Sequence, residues 1–489
     1  MATEVAGKAA ESSTAGKTIE INPVTRLEGH GKVTIHLDDN GNVVDAKFHV
    51  TQFRGFEKFC EGRVLWEMPV ITPRICGICP VSHHLASAKA CDAILGVELT
   101  RPAKLLRELM HMGQFIQSHA LHFFHLASPD LLLGLDYEPA KRNIVGLIET
   151  NPELAVKGVR LRGFGQAIIQ AIGGKKVHPN GAVPGGMNAA LSPADRDRFL
   201  RQIDQAIGDA EVAIAIIKEF YQKNKDFVGT CASFPTGYLG LVDKDNNLEL
   251  YDGKLRLLDA SGKVLEDQFE PADYLEIISE YVEDWSYLKF PFYKKHGYPK
   301  GVYRAGPLAR LNVCEAISTY RANAELKDFK RLGKNGIVEG SLYYHYARLI
   351  ELLYALERAQ QLLEDKDICS TDLLVDSAQY NEQGVGVIEA PRGTLFHHYW
   401  VDSSGKILKV NLIVATGNNN WAMNKAVYEV AKEFIKNGKV TEGILNRVEV
   451  AIRCYDPCLS CSTHALGQMP FVVQLVSPSG DVLGELTAR

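Results

Sequence analysis

Two cysteine pairs with identical spacing lie near opposite ends of the chain, and they constrain the fold more than any other feature. Cys76 and Cys79 lie in RICGICPVSHH, and Cys458 and Cys461 lie in YDPCLSCSTH. A Cys-x-x-Cys pair in a turn or at a helix start directs both sulfurs to one side, so two pairs can supply the four thiolates that soft and borderline metals prefer. A metal bound by all four would hold the two ends of the chain together.

A structural zinc ion is the alternative use of these cysteines. Zinc ribbons usually enclose about 12 to 20 residues between their cysteine pairs, whereas most of this 489-residue chain lies between the two pairs. So long an interval is more typical of an active-site metal. The remaining cysteines lack partners at ligand spacing and are predicted to be buried small apolar residues. They are Cys60, Cys91, Cys231, Cys314, Cys369 and Cys454.

The composition predicts a globular cytoplasmic protein. Hydrophobic residues make up 46% of the chain and charged residues 23%, as in ordinary folded domains. A net charge of -5 gives no positive field for a nucleic-acid backbone, so no nucleic acid is expected as a partner. Ten cysteines are too few for a disulfide scaffold, and the sequence has neither a signal-peptide pattern nor an apolar run long enough to span a membrane.

The apolar patterns predict an α+β fold with a long central helix bundle and peripheral antiparallel β-hairpins. Four hairpins are predicted around the turns Asn40-Gly41, Ser261-Gly262, Ser404-Gly405 and Ser479-Gly480. Helical patterns cover residues 80–95, 102–127, 139–174, 192–226, 271–290, 338–365 and 420–453. Several are apolar over more than one face, which favours a buried bundle. We expect a flexible arm at 1–17, one body at 18–464 and a C-terminal extension at 465–489.

Five separated segments resemble the motifs of nickel-iron hydrogenase large subunits. RICGICPVSH is similar to the family's Arg-x-Cys-Gly-x-Cys-x-x-x-His motif, and DPCLSCSTH to its Asp-Pro-Cys-x-x-Cys-x-x-His motif. VTRLEGHG, FRGFEKF and EAPRGTLFHHY follow the same family order. The segments WSYLKFPFYKKHGYP and YRAGPLARLNVC resemble the bidirectional, NAD-linked soluble (Hox-type) hydrogenases. The resemblance implies the nickel-iron hydrogenase large-subunit fold and the reversible, heterolytic cleavage of H2.

The resemblance also implies which residues bind the metals. Cys76 and Cys458 would be terminal thiolates on nickel, while Cys79 and Cys461 would bridge nickel to an iron that carries one carbon monoxide and two cyanides. His83 would donate a hydrogen bond towards a bridging sulfur without binding a metal.

Proton transfer would begin at the thiolate of Cys458 and continue through Glu28. A carboxylate beside a thiolate can relay a proton if burial raises its pKa. From the residues alone, Glu28 could equally be a surface residue that caps a helix or forms a salt bridge.

Arg392 would lie over the open metal position, in company with Asp92 and Asp456. Pro391, with its fixed backbone angle, would help to hold the arginine. The alternative for Arg392 is an ordinary ion pair.

The resemblance further implies a magnesium site and a processed C terminus. Glu57, His464 and the backbone carbonyl of Leu412 would bind Mg²⁺, a cation that prefers oxygen ligands. Residues 465–489 would be removed after His464 by a dedicated endopeptidase once nickel is inserted. The alternative is a member of the family that keeps its C-terminal hairpin.

The expected partners follow from what the sequence lacks. It has neither a Gly-x-Gly-x-x-Gly nor a Walker motif, so NAD, FMN and iron-sulfur clusters are expected on partner subunits only. These would be a flavin-containing diaphorase module and an iron-sulfur small subunit, with nickel chaperones acting in maturation. Alternatives are a methanogen-type electron-bifurcating or deazaflavin-linked large subunit, an H2-sensing regulatory protein, and a complex I-like subunit. The four cysteines argue against the last, and the C-terminal extension argues against a sensor.

Overall fold

The computed structural model describes residues 18–376, 380–463, 471–476 and 482–488, with side chains only as far as residue 463. In this part of the chain, long helices occupy the centre and small sheets surround them. The strands are β1 (Thr18–Ile21), β2 (Gly31–Leu37), β3 (Val43–Val50), β4 (Ala182–Val183), β5 (Gly186–Met187), β6 (Gly237–Val242), β7 (Lys254–Leu258), β8 (Val264–Phe269), β9 (Ile278–Tyr281), β10 (Phe290–Tyr293), β11 (Tyr303–Arg304), β12 (Gln383–Ala390), β13 (Gly393–Val401), β14 (Ile407–Ile413), β15 (Phe471–Val476) and β16 (Val482–Ala488).

The helices are α1 (Phe56–Cys60), α2 (Met68–Ile71), α3 (Pro80–Leu95), α4 (Arg101–Leu121), α5 (Ile144–Thr150), α6 (Pro152–Gly173), α7 (Pro193–Lys223), α8 (Lys225–Thr230), α9 (Pro307–Val313), α10 (Tyr320–Lys330), α11 (Tyr344–Glu364), α12 (Asn420–Phe434), α13 (Glu442–Arg453) and α14 (Leu459–Ser462). Helix α4 continues into two π-helical stretches, His122–Ala127 and Pro129–Leu133. No helix in the described part of the chain is both long and apolar enough to cross a lipid bilayer.

All four predicted hairpins form. The antiparallel pairs β2–β3, β7–β8, β13–β14 and β15–β16 are each joined at the predicted turn. Strand β12 adds to β13, so that β12, β13 and β14 form one antiparallel sheet. The predicted arm at residues 1–17 lies outside the described residues, as do His464 and most of the links within the C-terminal extension.

Most predicted helices are present, and their ends follow local capping chemistry. Helix α3 has the predicted bounds. The pattern at 139–174 divides into α5 and α6, because Pro152 starts a new helix that the side chain of Asn151 caps by accepting from Leu154 N. Helix α7 begins at the predicted Ser192 cap.

The predicted helix at 271–290 is wrong. Only a 3-10 turn, Pro271–Glu276, forms there, and it is followed by the strand pair β9–β10. The adjacent β-branched residues Ile277 and Ile278 and the aromatic segment around Pro291 favour strands and exclude a long helix.

The predicted central bundle is confirmed. Helix α4 packs against α6 and α11, and α11 packs against α7. The middle of α11 is buried on all sides, as the apolar pattern over several faces predicts. The bundle provides a rigid support for the sheet of β12, β13 and β14.

Strand β12 approaches α3 closely because glycines face that helix. A Cβ atom at Gly384 would lie 2.3 Å from the carbonyl oxygen of Ala90, and one at Gly386 would lie 2.0 Å from that of Ala86. Any larger residue would push the sheet away from the helix. Since α3 begins directly after Cys79, this contact sets the position of the β12–β13 turn relative to the cysteine pair.

Candidate metal centre

The two cysteine pairs meet, as predicted. Cys76 follows a 3-10 turn and Cys79 immediately precedes α3, while Cys458 precedes α14 and Cys461 lies within it. All four sulfurs lie within 4.8 Å of one another and are buried. The Sγ atoms of Cys76 and Cys458 are 3.2 Å apart, and those of Cys79 and Cys461 are 3.5 Å apart.

The donor set fits a soft or borderline metal. Burial raises the pKa of the Cys458 and Cys461 thiols well above the usual range, whereas hydrogen bonds from the neighbouring thiols, Cys458 first, lower the pKa of Cys76. Four thiolates this close would repel one another strongly in a buried site, so a cation is needed for all of them to ionise. Among the described residues, no other group of three or more potential ligands converges in this way.

Glu28 contacts the Cys458 thiol directly. The Sγ of Cys458 donates to Oε2 of Glu28 over 3.1 Å, and Ser460 N donates to the same oxygen over 3.0 Å. Gly29 adopts a φ of 87°, and a Cβ there would lie 2.7 Å from the Cβ of Leu459. The glycine therefore permits the close approach of the two segments. Glu28 is half-buried, so its carboxylate links a buried thiol to the protein surface.

A buried ion network that the sequence analysis missed fixes the segment containing Glu28. Arg453 donates to the backbone carbonyl and hydroxyl of Thr25 and to the carboxylates of Asp130 and Glu449. Arg26 also pairs with Asp130. The only local signal was the i, i+4 spacing of Glu449 and Arg453 on α13.

Arg392 lies at the tip of a two-residue turn. Ala390 pairs with Gly393 at the end of the β12–β13 ladder, which leaves Pro391 and Arg392 as the turn. The Nη2 of Arg392 donates to Oδ1 of Asp456 over 3.1 Å, and its Nε donates to the Asp456 backbone oxygen. The predicted pairing of Arg392 with Asp456 is thus present.

The guanidinium of Arg392 retains an unused donor beside the thiols. Together with Cys79, Cys458 and Cys461 it lines a small cavity, and its Nη1 has no hydrogen-bond partner among the described residues. Burial opposes its charge, but Asp456 and the neighbouring thiols outweigh burial and hold the pKa of Arg392 above its usual range. The arginine therefore stays cationic and can bind an acceptor in the cavity.

Asp92 does not lie with Arg392 as predicted. It forms a buried ion pair with Arg107 on α4 and accepts from Gly185 N over 2.7 Å. Arg107 also donates to the carbonyls of Val183 and Gly186. Asp92 thus joins α3, α4 and the β4–β5 hairpin, a packing role that sequence motifs could not distinguish from a place beside Arg392.

Replacing Asp92 with asparagine is expected to lower the free energy of unfolding by about 3–5 kcal/mol, because it leaves the Arg107 charge buried without a counterion. Denaturant-induced unfolding of the anaerobically purified chain measures the change. Asp365→Asn is the matched control, since Asp365 pairs with the exposed Arg101. Equal losses for the two variants would contradict the assignment.

His83 belongs to a buried hydrogen-bonded chain. It lines the same cavity as Cys79, and its Nδ1 lies 3.1 Å from Nε2 of His397. The Nδ1 of His397 lies 2.6 Å from the hydroxyl of Tyr399, which donates to Ser87 over 3.0 Å. The chain orients His83, whose hydrogen bond towards a bridging sulfur stays a prediction.

The magnesium site can be followed only in part. The backbone N–H of Leu412 donates to Oε1 of Glu57 over 2.7 Å, so two of the three predicted ligand residues are in contact. His464 lies outside the described residues. The site therefore stays a prediction.

The remaining cysteines behave as predicted. Five are buried and Cys369 is partly buried. Burial raises the pKa of Cys60, Cys231 and Cys314 to about 12, so these thiols stay protonated.

Comparison with protein-family models identifies hydrogenase sequence throughout the described chain. A model described as nickel-dependent hydrogenase matches residues 54–141 and 241–464. A second model, described as HoxL-like, matches residues 18–53. Together these matches include the cysteine pairs, Glu28 and Arg392.

Individual relatives cover nearly their whole lengths. The chain is 45% identical to the NAD-reducing hydrogenase HoxS subunit beta of Cupriavidus necator, over 96% of this chain and 99% of the relative. It is 49% identical to a vhu subunit of the F420-non-reducing hydrogenase of Methanocaldococcus jannaschii, over 86% and 99%. A crystal structure of an NAD⁺-reducing [NiFe]-hydrogenase in the H2-reduced state superposes with a TM-score of 0.90 at 47% identity, over 92% of this chain and 100% of the other.

Proposed function

The chain belongs to the family of nickel-dependent hydrogenases, and on that premise we propose that it is the H2-cleaving large subunit of an NAD-linked enzyme. Such a subunit splits H2 reversibly into two protons and two electrons. The observation that carries the assignment of the site is the convergence of four buried thiols with the carboxylate of Glu28.

The cysteines would hold a nickel-iron centre. Cys76 and Cys458 would bind nickel alone, and Cys79 and Cys461 would bridge it to an iron that carries carbon monoxide and cyanide. The bound metals would supply Lewis-acid and redox chemistry for H2. The unused donor of Arg392 would bind an acceptor beside the metals, and Asp456 would keep that guanidinium in place.

Proton transfer would use residues already in contact. Cys458 would accept a proton from H2, and its S–H would donate that proton to Glu28 Oε2 along the 3.1 Å hydrogen bond. Glu28, half-buried, would release it towards solvent. The electrons would leave through an iron-sulfur small subunit, since the relatives are named as subunits of larger enzymes.

NAD is favoured over other acceptors by coverage. The NAD-reducing relative aligns over 96% of this chain and the methanogen relative over 86%, although the latter is slightly more identical. We therefore propose a partner diaphorase module with FMN in a cytoplasmic complex, and a magnesium ion at Glu57 and Leu412. A methanogen-type enzyme is the second candidate.

Acceptor specificity tests this assignment. The chain is purified anaerobically by a removable tag from cells that carry its neighbouring subunits, and H2-dependent reduction of NAD, of a deazaflavin and of a viologen dye is measured. We expect reduction of the dye and NAD. Reduction of the dye and deazaflavin without NAD would reject the NAD-linked proposal and leave the hydrogenase assignment intact.

We also propose that residues 465–489 are a maturation device. Strands β15 and β16 pair with each other, so the extension contains a hairpin directly after the Cys458/Cys461 segment. While the chain continues beyond His464, that residue cannot take a terminal position beside Glu57.

In a host that lacks the endopeptidase, the full-length chain is expected to show little or no H2-dependent dye reduction. The processed chain from a host with the endopeptidase is the control. Intact mass and nickel content are measured for both, together with a chain that ends at His464. Uncleaved protein that binds nickel and turns over as fast as the processed form would show that the hairpin is simply structural.

A further inference from the structure

Arg310 on α9 uses every N–H group of its guanidinium. Its Nε and Nη2 donate to the two carboxylate oxygens of Glu351, each over 2.6 Å, and its Nη1 donates to Glu389 over 2.7 Å. The remaining two N–H groups donate to the backbone carbonyls of Ala390, over 2.9 Å, and Pro391, over 3.3 Å. No donor of this arginine is left unpaired.

The surroundings hold Arg310 rigidly. The side chains of Arg310, Glu351 and Glu389 are completely buried. Glu351 also contacts His119 on α4 over 2.9 Å, and Glu389 accepts from Leu241 N and the hydroxyl of Thr394. Helices α4, α9 and α11 and strand β12 therefore converge on one guanidinium, which touches none of the four cysteines in the described hydrogen bonds.

This cluster ends at the turn that carries Arg392. The carbonyls of Ala390 and Pro391 accept from Arg310, and the carbonyl of Arg392 accepts from the side-chain amide of Asn419 over 3.1 Å. Asn419 is in turn fixed by accepting from Ala305 N over 2.9 Å. Three consecutive peptide groups are thus held by side chains from outside the turn.

The turn has little room to adjust on its other side. A Cβ atom at Gly306 would lie 2.8 Å from the carbonyl oxygen of Arg392, so the chain before α9 packs directly against it. Gly306 adopts a φ of 88°, which a larger residue would disfavour. The direction of the Cα–Cβ bond of Arg392 therefore follows from the orientation of these peptides.

We propose that Arg310 and Asn419 are positioning residues that aim the Arg392 guanidinium at the cysteine cluster. The inference rests on the proposed nickel-iron site, and it assigns the precision of Arg392 to a buried network outside that site. Asp456 holds the guanidinium end of the side chain, while Arg310 and Asn419 hold its backbone end.

The planar fork of arginine is the chemical requirement. Lysine at 310 keeps a positive charge between Glu351 and Glu389, but it has three donors on one atom and cannot serve both carboxylates and both carbonyls. Arg310→Lys therefore separates positioning from charge. Asn419→Asp keeps the acceptor for Ala305 N and removes the donor to the carbonyl of Arg392, without leaving a buried carboxylate cluster uncompensated.

The test uses the complete, anaerobically purified complex. Nickel and iron content, the infrared bands of carbon monoxide and cyanide, and kcat and KM for H2 with a viologen dye are measured for each variant. We expect near wild-type metal content in both variants, displaced infrared bands, and kcat lowered about 10- to 100-fold for Arg310→Lys, as for a misplacement near 1 Å. Asn419→Asp should change the bands and kcat in the same direction.

Arg107→Lys is the matched control. Arg107 is also buried and donates to one carboxylate and two carbonyls, but its partners are Asp92, Val183 and Gly186. We expect this variant to keep the wild-type infrared bands even if its thermal stability falls.

The outcomes separate this inference from the proposed function. Wild-type bands and kcat in both Arg310→Lys and Asn419→Asp would overturn the positioning role, and Asn419→Asp decides alone if the lysine variant does not fold. A wild-type complex without nickel, iron or diatomic bands would instead overturn the proposed metal centre.

Discussion

Replacing Cys461 with serine is expected to abolish both metal binding and H2-dependent dye reduction. The wild-type chain should contain about one nickel and one iron, because four thiolates from opposite ends of the chain form the donor set. A serine hydroxyl in the same buried place does not ionise near neutral pH and is a hard ligand. Since Cys461 is proposed to bind both metals, its loss should remove both. Elemental analysis and dye reduction measure the result.

Cys231→Ser is the control for this variant. Cys231 is as buried as Cys461 but has no metal-ligating neighbours among the described residues. It should keep both metals and its activity, with a modest loss of stability. Stoichiometric zinc in the wild-type chain, or nickel retained by Cys461→Ser, would contradict the assignment.

Much of the fold could be predicted from the sequence because its signals are local. Gly-containing turns between alternating apolar residues locate every predicted hairpin, and Ser192 and Asn151 mark helix starts by capping. The segment 271–290 failed because its apolar spacing suits a helix, while β-branched and aromatic residues make strands there. The glycines at 384 and 386 show their meaning only when α3 is seen against β12.

The site divides in the same way. Motifs located the four cysteines, Glu28 and the pairing of Arg392 with Asp456, because each lies in a short distinctive segment. Asp92 was misplaced since a motif cannot indicate which of several arginines pairs with it.

Residues that act at long range escaped prediction. Arg310 contacts Glu351 and Glu389, which lie 41 and 79 positions further along the chain, and His397 contacts His83 from 314 positions away. No spacing rule links such residues. They become visible only when the bundle and the sheet are packed together.

Replacing Glu28 with glutamine is expected to lower H2 turnover by about 10²- to 10⁴-fold, the usual contribution of a positioned acid or base. The amide oxygen can still accept from Ser460 N, so the segment should keep its place beside Cys458. What is lost is the ability to take up the proton of the Cys458 thiol. Nickel and iron content and the assembly of the complex should be unchanged.

Exchange between H2 and deuterated water isolates the proton step, because it requires proton release but no electron acceptor. Glu449→Gln is the matched control. Glu449 is a buried carboxylate that holds the same segment through Thr25 and Arg453, but it does not contact Cys458. Its loss should lower stability and leave isotope exchange close to wild type.

Two results distinguish a relay from a merely structural contact. Glu28→Asp keeps a carboxylate but shortens its reach, so it should restore part of the exchange that glutamine removes if proton transfer is the function of Glu28. If glutamine instead exchanges as fast as wild type, the proton leaves Cys458 by another route. The 3.1 Å contact would then serve only to join the N-terminal segment to the Cys458 turn, a task that the hydrogen bond from Leu459 N to the Glu28 carbonyl already performs.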